Sequence, residues 1–344
     1  MAYFKIKTGI SILLISVLVL TGCRHTTNPL TTQTISQSAQ PSSSAVDADK
    51  DGINDSIEGQ LITRFAPVVY LAQEEQYLPA NVPWFLPRVR MRYNVRLGFD
   101  DSVLPMGKVN LSTLLAQKDR NQPSGFSSSQ TEFFLEETDV KGGDSLDEYR
   151  KATRAGTGQA DWVCYAHVRF VPGNADLYDV QYIFFYGYNG NLLGGPLQTA
   201  HEADLEHVTV RVKADLKTID KIYYAAHDGE GKWYTRQAAA GVNDGYALTA
   251  DSRPVVYSAV NSHASYPWAG KWERGTLLPD DNTDGKGPVW DCRQNAVNVG
   301  EKSFPMKDMQ WIQYSGHWGE IGSESFTTGP YGPAYQSWWD GEEG

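Results

Sequence analysis

The sequence lacks an excess of basic residues. Lysine and arginine number 30 against 41 aspartates and glutamates, which gives a formal net charge of −11 over 344 residues. A nucleic-acid partner requires a basic surface that neutralises phosphates, so this composition argues against DNA or RNA binding and favours cations. With 41% hydrophobic and 12% aromatic residues, the chain can bury one large core or two modest ones.

Cysteine is also scarce. The chain has three cysteines, and Cys23 belongs to the amino-terminal leader considered next. An exported chain allows a disulfide between the other two, Cys164 and Cys292. The apolar alternation around Cys164 equally allows a buried free thiol, so both alternatives are open.

Long apolar runs are absent except for residues 10–20, which are too few for a typical membrane span. This run follows two lysines and ends in Leu20-Thr21-Gly22-Cys23. It resembles a bacterial lipoprotein signal with its lipobox, and an ordinary secretory signal with a chance cysteine is the alternative. The resemblance implies that residues 1–22 are removed and that Cys23 is lipidated. It also implies anchoring in the cell envelope, at the outer membrane because Arg24 is not an aspartate.

Residues 23–46 are rich in Ser, Thr and Gln and lack apolar periodicity, which is typical of a flexible tether. They lead into residues 47–58, whose acidic pattern matches a twelve-residue calcium loop of EF-hand type with glycine at its sharp turn. Calcium prefers oxygen ligands, which carboxylates and one backbone carbonyl supply here. The predicted ligands are Asp47, Asp49, Asp51, the carbonyl of Ile53, Asp55 and Glu58.

A helix is expected to leave this loop but not to enter it. The tether is Ser-rich and contains Pro41, whereas residues 56–65 favour a helix that ends before Pro67. The segment therefore resembles the single calcium loops of bacterial surface proteins, and an acidic solvated linker is the alternative. A second acidic loop, residues 280–285, repeats part of the pattern. Pro288 occupies its ninth position, so calcium and a plain turn are both open there.

From residue 59 to residue 344 the pattern changes to short strands. Six runs rich in Val, Tyr, Phe and Trp, separated by turn residues, predict strands at 68–71, 162–171, 178–188, 207–212, 221–226 and 254–260. Helical periodicity is weak, at 111–117 and 145–153, and the polar region 120–160 predicts a long excursion without a readable role. The sequence therefore predicts a mainly β fold, a β-sandwich with long loops and a few short helices.

A cluster of metal-ligand residue types leads into one of these strands. Alternation places Asp204 and Glu206 on the same face as the valines at positions 208, 210 and 212. Unpaired carboxylates on an apolar face are costly, so a divalent cation, Ca²⁺ or Mg²⁺, is the simplest compensation. His201 supplies a third ligand if the strand bends between 201 and 204. The alternative is a polar strand entry that is open to water.

Several segments together resemble the vacuolar protein sorting-associated protein 62 family, which occurs in fungi, plants and bacteria. Residues 201–208 resemble its H-E-G-D-W-E-H-V signature. The other matching segments, in the same order as in the family, are 64–70, 75–79, 82–86, 254–257, 262–267, 316–319 and 329–333. The resemblance extends over about residues 64–340.

The same signature is similar to the G-H-R-H-D-W-E heptapeptide of necrosis-inducing, NLP-type cytolysins. This resemblance implies a jelly-roll-like β-sandwich in which His201, Asp204 and Glu206 hold a divalent metal in an exposed cavity. It also implies binding of sphingolipid headgroups and membrane damage. This chain has leucine where the heptapeptide has tryptophan, and it lacks an aspartate shortly upstream, for which Asn189 or Asn191 is the candidate substitute as an oxygen ligand.

Two loop histidines are candidates to line the same cavity. His263 follows a predicted strand and His317 lies between Gly316 and Trp318, so each is a candidate general base or metal ligand. The alternative for both is a hydrogen bond to the backbone at a loop turn. No G-x-S-x-G nucleophile motif occurs in the sequence.

Three functional classes remain. The first is a surface-anchored lipoprotein that binds divalent metal and recognises a glycan or a lipid headgroup. The second is a metal-dependent hydrolase of a glycan, lipid or phosphoester, since three protein ligands leave open positions for an activated water. The third is a structural, calcium-stabilised lipoprotein. Whether the protein is an enzyme is open from the sequence.

Replacing Cys23 by serine tests the anchor. Cys23→Ser removes the thiol that is acylated, and we expect the variant to move from the membrane fraction to the soluble fraction, because an unacylated chain has no stable anchor after cleavage. Immunoblotting of fractionated cells measures the shift, and Thr26→Ala is the control that keeps the thiol. Unchanged membrane fractionation of the Cys23→Ser variant would argue against lipidation.

Overall fold

Along the described part of the chain, short strands precede and follow a group of long strands in the middle. The structure is a computed structural model, which describes residues 46–94, 101–117, 133–137, 151–190, 199–274, 279–322 and 325–341. In chain order the strands are β1 (Val68–Tyr70), β2 (Val89–Tyr93), β3 (Asp101–Leu104), β4 (Phe133–Glu137), β5 (Cys164–Val171), β6 (Asn174–Asn189), β7 (His201–Lys213), β8 (Ile219–Tyr224), β9 (Lys232–Tyr234), β10 (Val255–Ser258), β11 (Ser265–Tyr266), β12 (Gly270–Trp272), β13 (Asp281–Thr283), β14 (Val289–Asp291), β15 (Ala296–Asn298), β16 (Gly300–Glu301) and β17 (Phe304–Pro305).

Helices are few and short. Among the described residues the α-helices are α1 (Asp55–Phe65), α2 (Val82–Phe85), α3 (Leu111–Gln117) and α4 (His227–Glu230), and residues 151–154 are also helical. Single turns of 3₁₀ helix lie at Leu86–Arg88, Gln159–Asp161, Cys292–Asn295, Gln310–Gln313, Ser325–Thr327, Pro333–Tyr335 and Ser337–Asp340. In the residue ranges given above, no helix is long and apolar enough to cross a membrane.

A six-stranded sheet in the order β15-β5-β6-β7-β8-β9 forms the centre of the fold. Its long strands β6 and β7 pair antiparallel from Leu177 opposite Lys213 to Asn189 opposite His201. Side chains alternate between the two faces of a strand, and along most of β6 and β7 both sets are buried. The sheet is therefore covered on both faces.

One face of the central sheet carries the first core. Phe184 and Val210 pack there with Leu61 of α1 and with Val69 and Trp290 of a four-stranded sheet in the order β11-β10-β1-β14. The rings of Phe184 and Trp290 meet edge to face with centroids 5.4 Å apart. Full burial of each such side chain contributes roughly 1.5–3 kcal/mol, so this contact fixes the four-stranded sheet against the central one.

The opposite face carries the second core. Ile183, Phe185 and Leu205, the alternate residues of β6 and β7, pack there with Met91 and Leu135 of a three-stranded sheet in the order β3-β2-β4. The central sheet therefore lies between two smaller sheets. This arrangement confirms the predicted mainly β fold with packed sheets, long loops and a few short helices.

The predicted strands correspond to β1, β5, β6, β7, β8 and β10, and α3 coincides with the predicted helix at 111–117. β7 begins six residues earlier than predicted because the signature residues pair along β6. α1 begins one residue earlier than predicted because Asn54 caps it: the Asn54 side chain accepts a hydrogen bond from the backbone N–H of Ser56 at 2.8 Å.

Cys164 and Cys292 are free thiols that are buried in the first core. Burial, together with a hydrogen bond to the Cys164 thiol, raises the pKa of the Cys292 thiol well above its ordinary value. Of the two alternatives from the sequence, the free-thiol form is the one that the structure has.

Some sequence-based predictions lie outside the described residues. These are the signal at 1–22, the lipidation site Cys23, the tether up to residue 45, Asn191 and most of the excursion at 120–160. Of the weak helix at 145–153, only the last three residues are described.

Candidate metal centre and the signature strand

The acidic segment at residues 47–58, called the calcium loop below, folds around its own carboxylates. Positive φ angles at Lys50 (64°) and Gly52 (89°) turn the backbone sharply, which glycine does without strain. Both turning residues are held by Asp47: the N–H of Lys50 donates to Oδ1 at 2.7 Å and the N–H of Gly52 donates to Oδ2 at 3.2 Å.

Buried carboxylates without hydrogen-bond partners lie inside this turn. Asp49 and Glu58 are 1% and 0% exposed. By geometry neither oxygen of either group accepts a hydrogen bond from a described residue, nor does Oδ2 of Asp51; the Asn298 side chain lies near Glu58 and acts to lower its pKa, but burial outweighs it. One ligand oxygen from each of these three residues lies within 4.8 Å of the others, and Asp47, Asp49 and Asp55 form a second such group. Buried charge without a partner is costly, and these converging oxygens could hold a cation.

Burial raises the pKa values of three acids in the calcium loop. The pKa of Asp49 is raised to about 7, that of Asp51 to about 6 and that of Glu58 to about 8. Neighbouring carboxylates add to the effect of burial, since Asp51 acts on Asp49 and Asp49 acts on Glu58. Without a cation these groups either bind protons or repel one another.

The donor set of the calcium loop fits a hard cation. Its candidate ligands are carboxylate oxygens, which calcium prefers over the nitrogen and sulfur donors of transition metals. Ile53, whose carbonyl is the remaining predicted ligand, has its side chain buried in the first core at 2% exposure. The loop is therefore fixed to the domain and is not a solvated linker.

The second acidic loop, residues 280–285, is built differently. Part of it is strand β13, and the Asp284 carboxylate accepts hydrogen bonds from the backbone N–H groups of Gln73 and Lys286, each at 2.9 Å. Asp281 is fully buried and accepts from three side chains, those of Ser262, Tyr266 and His227. These carboxylates already have protein donors, in contrast to those of the calcium loop.

The signature strand β7 starts at His201, which is paired with Asn189 of β6. The predicted irregularity between 201 and 204 is found at Ala203, whose φ angle is 51°, while the pairing with β6 keeps its register. The His201 ring donates from Nδ1 to the Ala203 carbonyl at 2.8 Å. Asp204 and Glu206 are buried, at 6% and 8% exposure.

Asp204 is held by His263. Nδ1 of His263 lies 2.9 Å from Oδ2 of Asp204, and the amide of Asn189 donates to the same oxygen at 3.4 Å. The other ring nitrogen, Nε2, donates to the Tyr77 carbonyl at 3.0 Å. Burial disfavours the imidazolium, but the Glu75 and Asp204 carboxylates outweigh it and raise the pKa of His263 to about 9. The His263 imidazolium therefore compensates Asp204.

The structure does not gather the predicted ligands of the signature strand as closely as those of the calcium loop. Among the described residues, groups of three ligand atoms within 4.8 Å of one another occur in the calcium loop, and His201, Asp204 and Glu206 do not form such a group. Metal binding at these three residues stays a prediction. His317 donates from Nδ1 to the Gly329 carbonyl at 2.6 Å, as the backbone-bonded alternative expects.

Two buried acids near the signature were missed from the sequence. Glu202, within the signature itself, accepts from the backbone N–H of Glu137 at 3.0 Å, and burial raises its pKa well above the ordinary range. Arg154 pairs with Glu137 at 2.7 Å and lies 3.8 Å from Glu202. The other missed acid is Asp281. The sequence signal for Glu202 was its place in the signature, and that for Asp281 was its place in the second acidic loop; neither position carried information on partners.

Comparison with known proteins identifies the family. The model of the family described as vacuolar protein sorting-associated protein 62, Vps62, matches residues 53–323. The chain belongs to this family. Two relatives come from Saccharomyces cerevisiae: vacuolar protein sorting-associated protein 62, 25% identical over 295 residues, and the putative vacuolar protein sorting-associated protein TDA6, 21% identical over 320 residues. The alignments include 76% and 80% of this chain but 59% and 66% of the relatives, less than two thirds of their lengths.

Solved structures of NLP-type proteins are also similar to the chain. One is Necrosis and Ethylene inducing Protein 2 from the causal agent of cocoa's Witches Broom disease, with 12% identity, a TM-score of 0.34, and coverage of 73% of this chain and 78% of that one. Another is NLPPya in complex with glucosamine, with 12% identity, a TM-score of 0.35, and coverage of 78% and 81%. The expected resemblance to NLP-type proteins is thus found among structures as well, at low TM-scores.

The calcium loop and the signature strand lie at different places relative to the region of this Vps62-family protein that matches the family model. The matched region begins at Ile53, inside the calcium loop, so the first three acidic ligands precede it. The whole of β7 lies within it. The signature strand is therefore central to the family match, and the calcium loop lies at its edge.

The raised pKa values predict a pH-dependent stability. In the calcium-free protein Asp49, Asp51 and Glu58 bind protons more tightly when folded than when unfolded. The free energy of unfolding therefore falls as the pH rises from about 4, near the unfolded-state pKa values, towards the folded value of about 8 for Glu58. We expect the melting temperature in chelator to fall between pH 5 and about 8, and calcium to remove most of the fall.

Differential scanning calorimetry with and without chelator measures this dependence. Glu58→Gln, which removes one of the three acids, should flatten the chelator curve. A melting temperature in chelator that stays constant or rises over this pH range would contradict the prediction.

Proposed function

We propose that this Vps62-family protein binds calcium in the loop at residues 47–58. The observation that carries the proposal is that the buried Asp49 and Glu58 carboxylates have no hydrogen-bond partners while their oxygens converge with Asp51. The residues that would hold the ion are Asp47, Asp49, Asp51, the carbonyl of Ile53, Asp55 and Glu58. Bound calcium supplies the positive charge that these acids otherwise lack.

Calcium binding has a consequence for the fold, because the loop is joined to the first core by Ile53 and to α1 by Asp55 and Glu58. An ion that binds only the folded state raises the free energy of unfolding by about 2.7 kcal/mol when it exceeds its dissociation constant a hundredfold. The calcium loop therefore supports stabilisation of the domain by calcium, which is common to the first and third functional classes.

Isothermal titration calorimetry tests the calcium site. We expect one equivalent of calcium to bind with a Kd of about 10⁻⁴ to 10⁻³ M, the range of extracellular modules. Glu58→Gln keeps the size of the side chain but removes its charge, and should weaken binding by more than about tenfold. Glu74→Gln is the matched control, because Glu74 is exposed and lies outside the loop. Absence of binding to wild type at millimolar calcium would overturn the proposal.

We also propose that the signature strand binds a second divalent cation, Ca²⁺ or Mg²⁺, and takes part in recognition of a glycan or a lipid headgroup. The ligand types at His201, Asp204 and Glu206 and the burial of both carboxylates support the cation. Because His263 already bonds Asp204, cation binding requires Asp204 to share or exchange that bond. The lipid anchor expected at Cys23 belongs to the same proposal, since it brings the site close to headgroups and glycans of the envelope.

A crystal grown with manganese, as a probe for the divalent cation, tests the second site. The Glu58→Gln variant is the suitable background, because it weakens binding in the calcium loop without deleting Ile53 from the first core. We expect anomalous density coordinated by His201, Asp204 and Glu206, and its loss in a Glu206→Gln double variant. A cluster filled only by water in millimolar manganese would exclude the second site and leave the calcium loop unaffected.

A further inference from the structure

The imidazole of His227, between β8 and β9, is bonded at one of its two nitrogens. Nε2 lies 2.6 Å from Oδ2 of Asp281. Asp281 is fully buried and is held by the hydroxyl groups of Ser262 and Tyr266, at 2.8 and 2.6 Å. The His227 side chain is 17% exposed, and among the described residues its Nδ1 has no bonding partner. The carboxylate therefore orients the ring and leaves Nδ1 available to a ligand.

The chemistry of Nδ1 favours a hydroxyl group as its partner. A carboxylate accepts hydrogen bonds, so Nε2 of His227 donates to Asp281 and Nδ1 of the neutral ring is an acceptor. In the imidazolium form Nδ1 is a donor instead. A hydroxyl both donates and accepts, so it bonds either form of the ring, whereas an ammonium or a carboxylate suits only one of them.

Half-buried aromatic rings lie beside this imidazole. Tyr266, whose hydroxyl bonds Asp281, stacks on Trp272 of β12 with centroids 4.3 Å apart. The Trp268 ring lies 4.8 Å from that of Trp272. Both tryptophans are half-buried, and Trp268 precedes two exposed residues. The two indoles thus present apolar surface next to the oriented His227 ring.

Packing and polar contacts hold α4 and the indoles together. Ala226, which precedes α4, packs in a small apolar cluster with Trp272. Glu230, at the end of α4, pairs with Nε of Arg274 at 2.9 Å. The Trp272 indole donates to Oγ1 of Thr283 on β13 at 3.2 Å. Rings that are held in this way offer contact area to a ligand at little cost in conformational entropy.

The surroundings of the two indoles suit a small neutral ligand. The Glu230–Arg274 pair and the Lys271–Asp280 pair border them, and these charges compensate one another. Neither tryptophan belongs to the strongly exposed apolar side chains of the described residues, so the apolar area is small for a membrane or a stable protein interface. A hexose combines an apolar ring face with hydroxyl groups, and it matches indoles beside a free imidazole nitrogen.

This surface adjoins the signature strand through two consecutive loop residues. Ser262 bonds Asp281, and His263 bonds Asp204 at the start of β7. The Asn189 amide donates to the Ser262 carbonyl at 3.5 Å. A ligand at the indoles is therefore next to the region that the signature carboxylates occupy.

We infer that His227, Trp268 and Trp272 form a saccharide-binding site, in which the ring of a neutral hexose packs on the two indoles and one hydroxyl bonds Nδ1 of His227. The inference rests on the proposed recognition of a glycan. It assigns the sugar contacts to this surface and not to a cation bound at the signature strand.

Calorimetric titration with the methyl glycosides of glucose, galactose and mannose, in millimolar calcium, tests the site. We expect at least one of them to bind with a Kd of about 1–10 mM. Trp268→Ala should raise this Kd by about three- to tenfold, and Trp268→Phe should restore most of the affinity because an aromatic face remains. Trp84→Ala is the matched control, because Trp84 is also half-buried and lies in α2, away from these indoles.

His227→Asn tests the hydrogen bond. Asparagine tolerates the φ of 47° at this position but lacks the second ring nitrogen. We expect the Kd to rise by about two- to tenfold.

The Glu206→Gln variant separates this inference from the proposed role of the signature strand. If Glu206→Gln abolishes sugar binding while Trp268→Ala and His227→Asn bind as wild type does, the inference fails and the proposed function stands. If none of the three glycosides binds wild type at roughly 100 mM, the inference and the glycan part of the proposed function both fail.

Modification of the wild-type protein with diethyl pyrocarbonate gives a test that does not depend on how any variant folds. The reagent acylates imidazole nitrogens that are open to solvent, and peptide mass spectrometry measures the rate at His227. We expect the glycoside that binds to slow this reaction, because its hydroxyl covers Nδ1, and glycerol at the same concentration to leave it unchanged. Equal rates in the glycoside and in glycerol would overturn the inference.

Discussion

The cost of burying ionised carboxylates is the constraint on which the sites of this protein depend. The structure meets it in two ways with protein groups alone. Asp204 is compensated by the His263 imidazolium, and Asp281 accepts three side-chain hydrogen bonds, from an imidazole and two hydroxyls. The calcium loop has neither solution for Asp49 and Glu58. Two of the clusters therefore have protein groups that compensate their carboxylates, and the third has buried acids without such a partner among the described residues.

Sheet topology explains where the polar groups converge. β1 and β10 are parallel neighbours, so the loops that follow them leave from the same edge of the sheet. The first of these loops brings Glu75 and the second brings Asn261 and His263; the N–H of Asn261 donates to Glu75 at 2.7 Å and His263 bonds Asp204 at the start of β7. Asp204 and Glu206 lie on the same face of β7 as the buried valines. At Asp204 the neighbours on that face are these polar loops and no longer apolar core residues.

The sequence predicted what depends on local pattern. The twelve-residue register of the calcium loop, the alternation that puts Asp204 on the face of Val208, and the strands of the central sheet all follow from neighbours along the chain. Contacts between distant segments were not predictable in this way. The sequence predicts a metal beside Asp204, and it gives no sign that His263, 59 residues away, bonds the same carboxylate.

The signature strand and the calcium loop differ in whether protein groups compensate their buried carboxylates. Asp204 carries its compensating charge within the fold, so its surroundings are stable without an ion, and a cation there competes with an imidazolium. In the calcium loop the pKa values of Asp49 and Glu58 are raised. Without a cation these acids therefore either bind protons or repel one another. A calcium site with the proposed Kd of about 10⁻⁴ to 10⁻³ M would fill only outside the cytosol. Under the proposed calcium binding, stability gained through this loop would therefore depend on the compartment in which the domain resides, independently of any ligand at the signature strand.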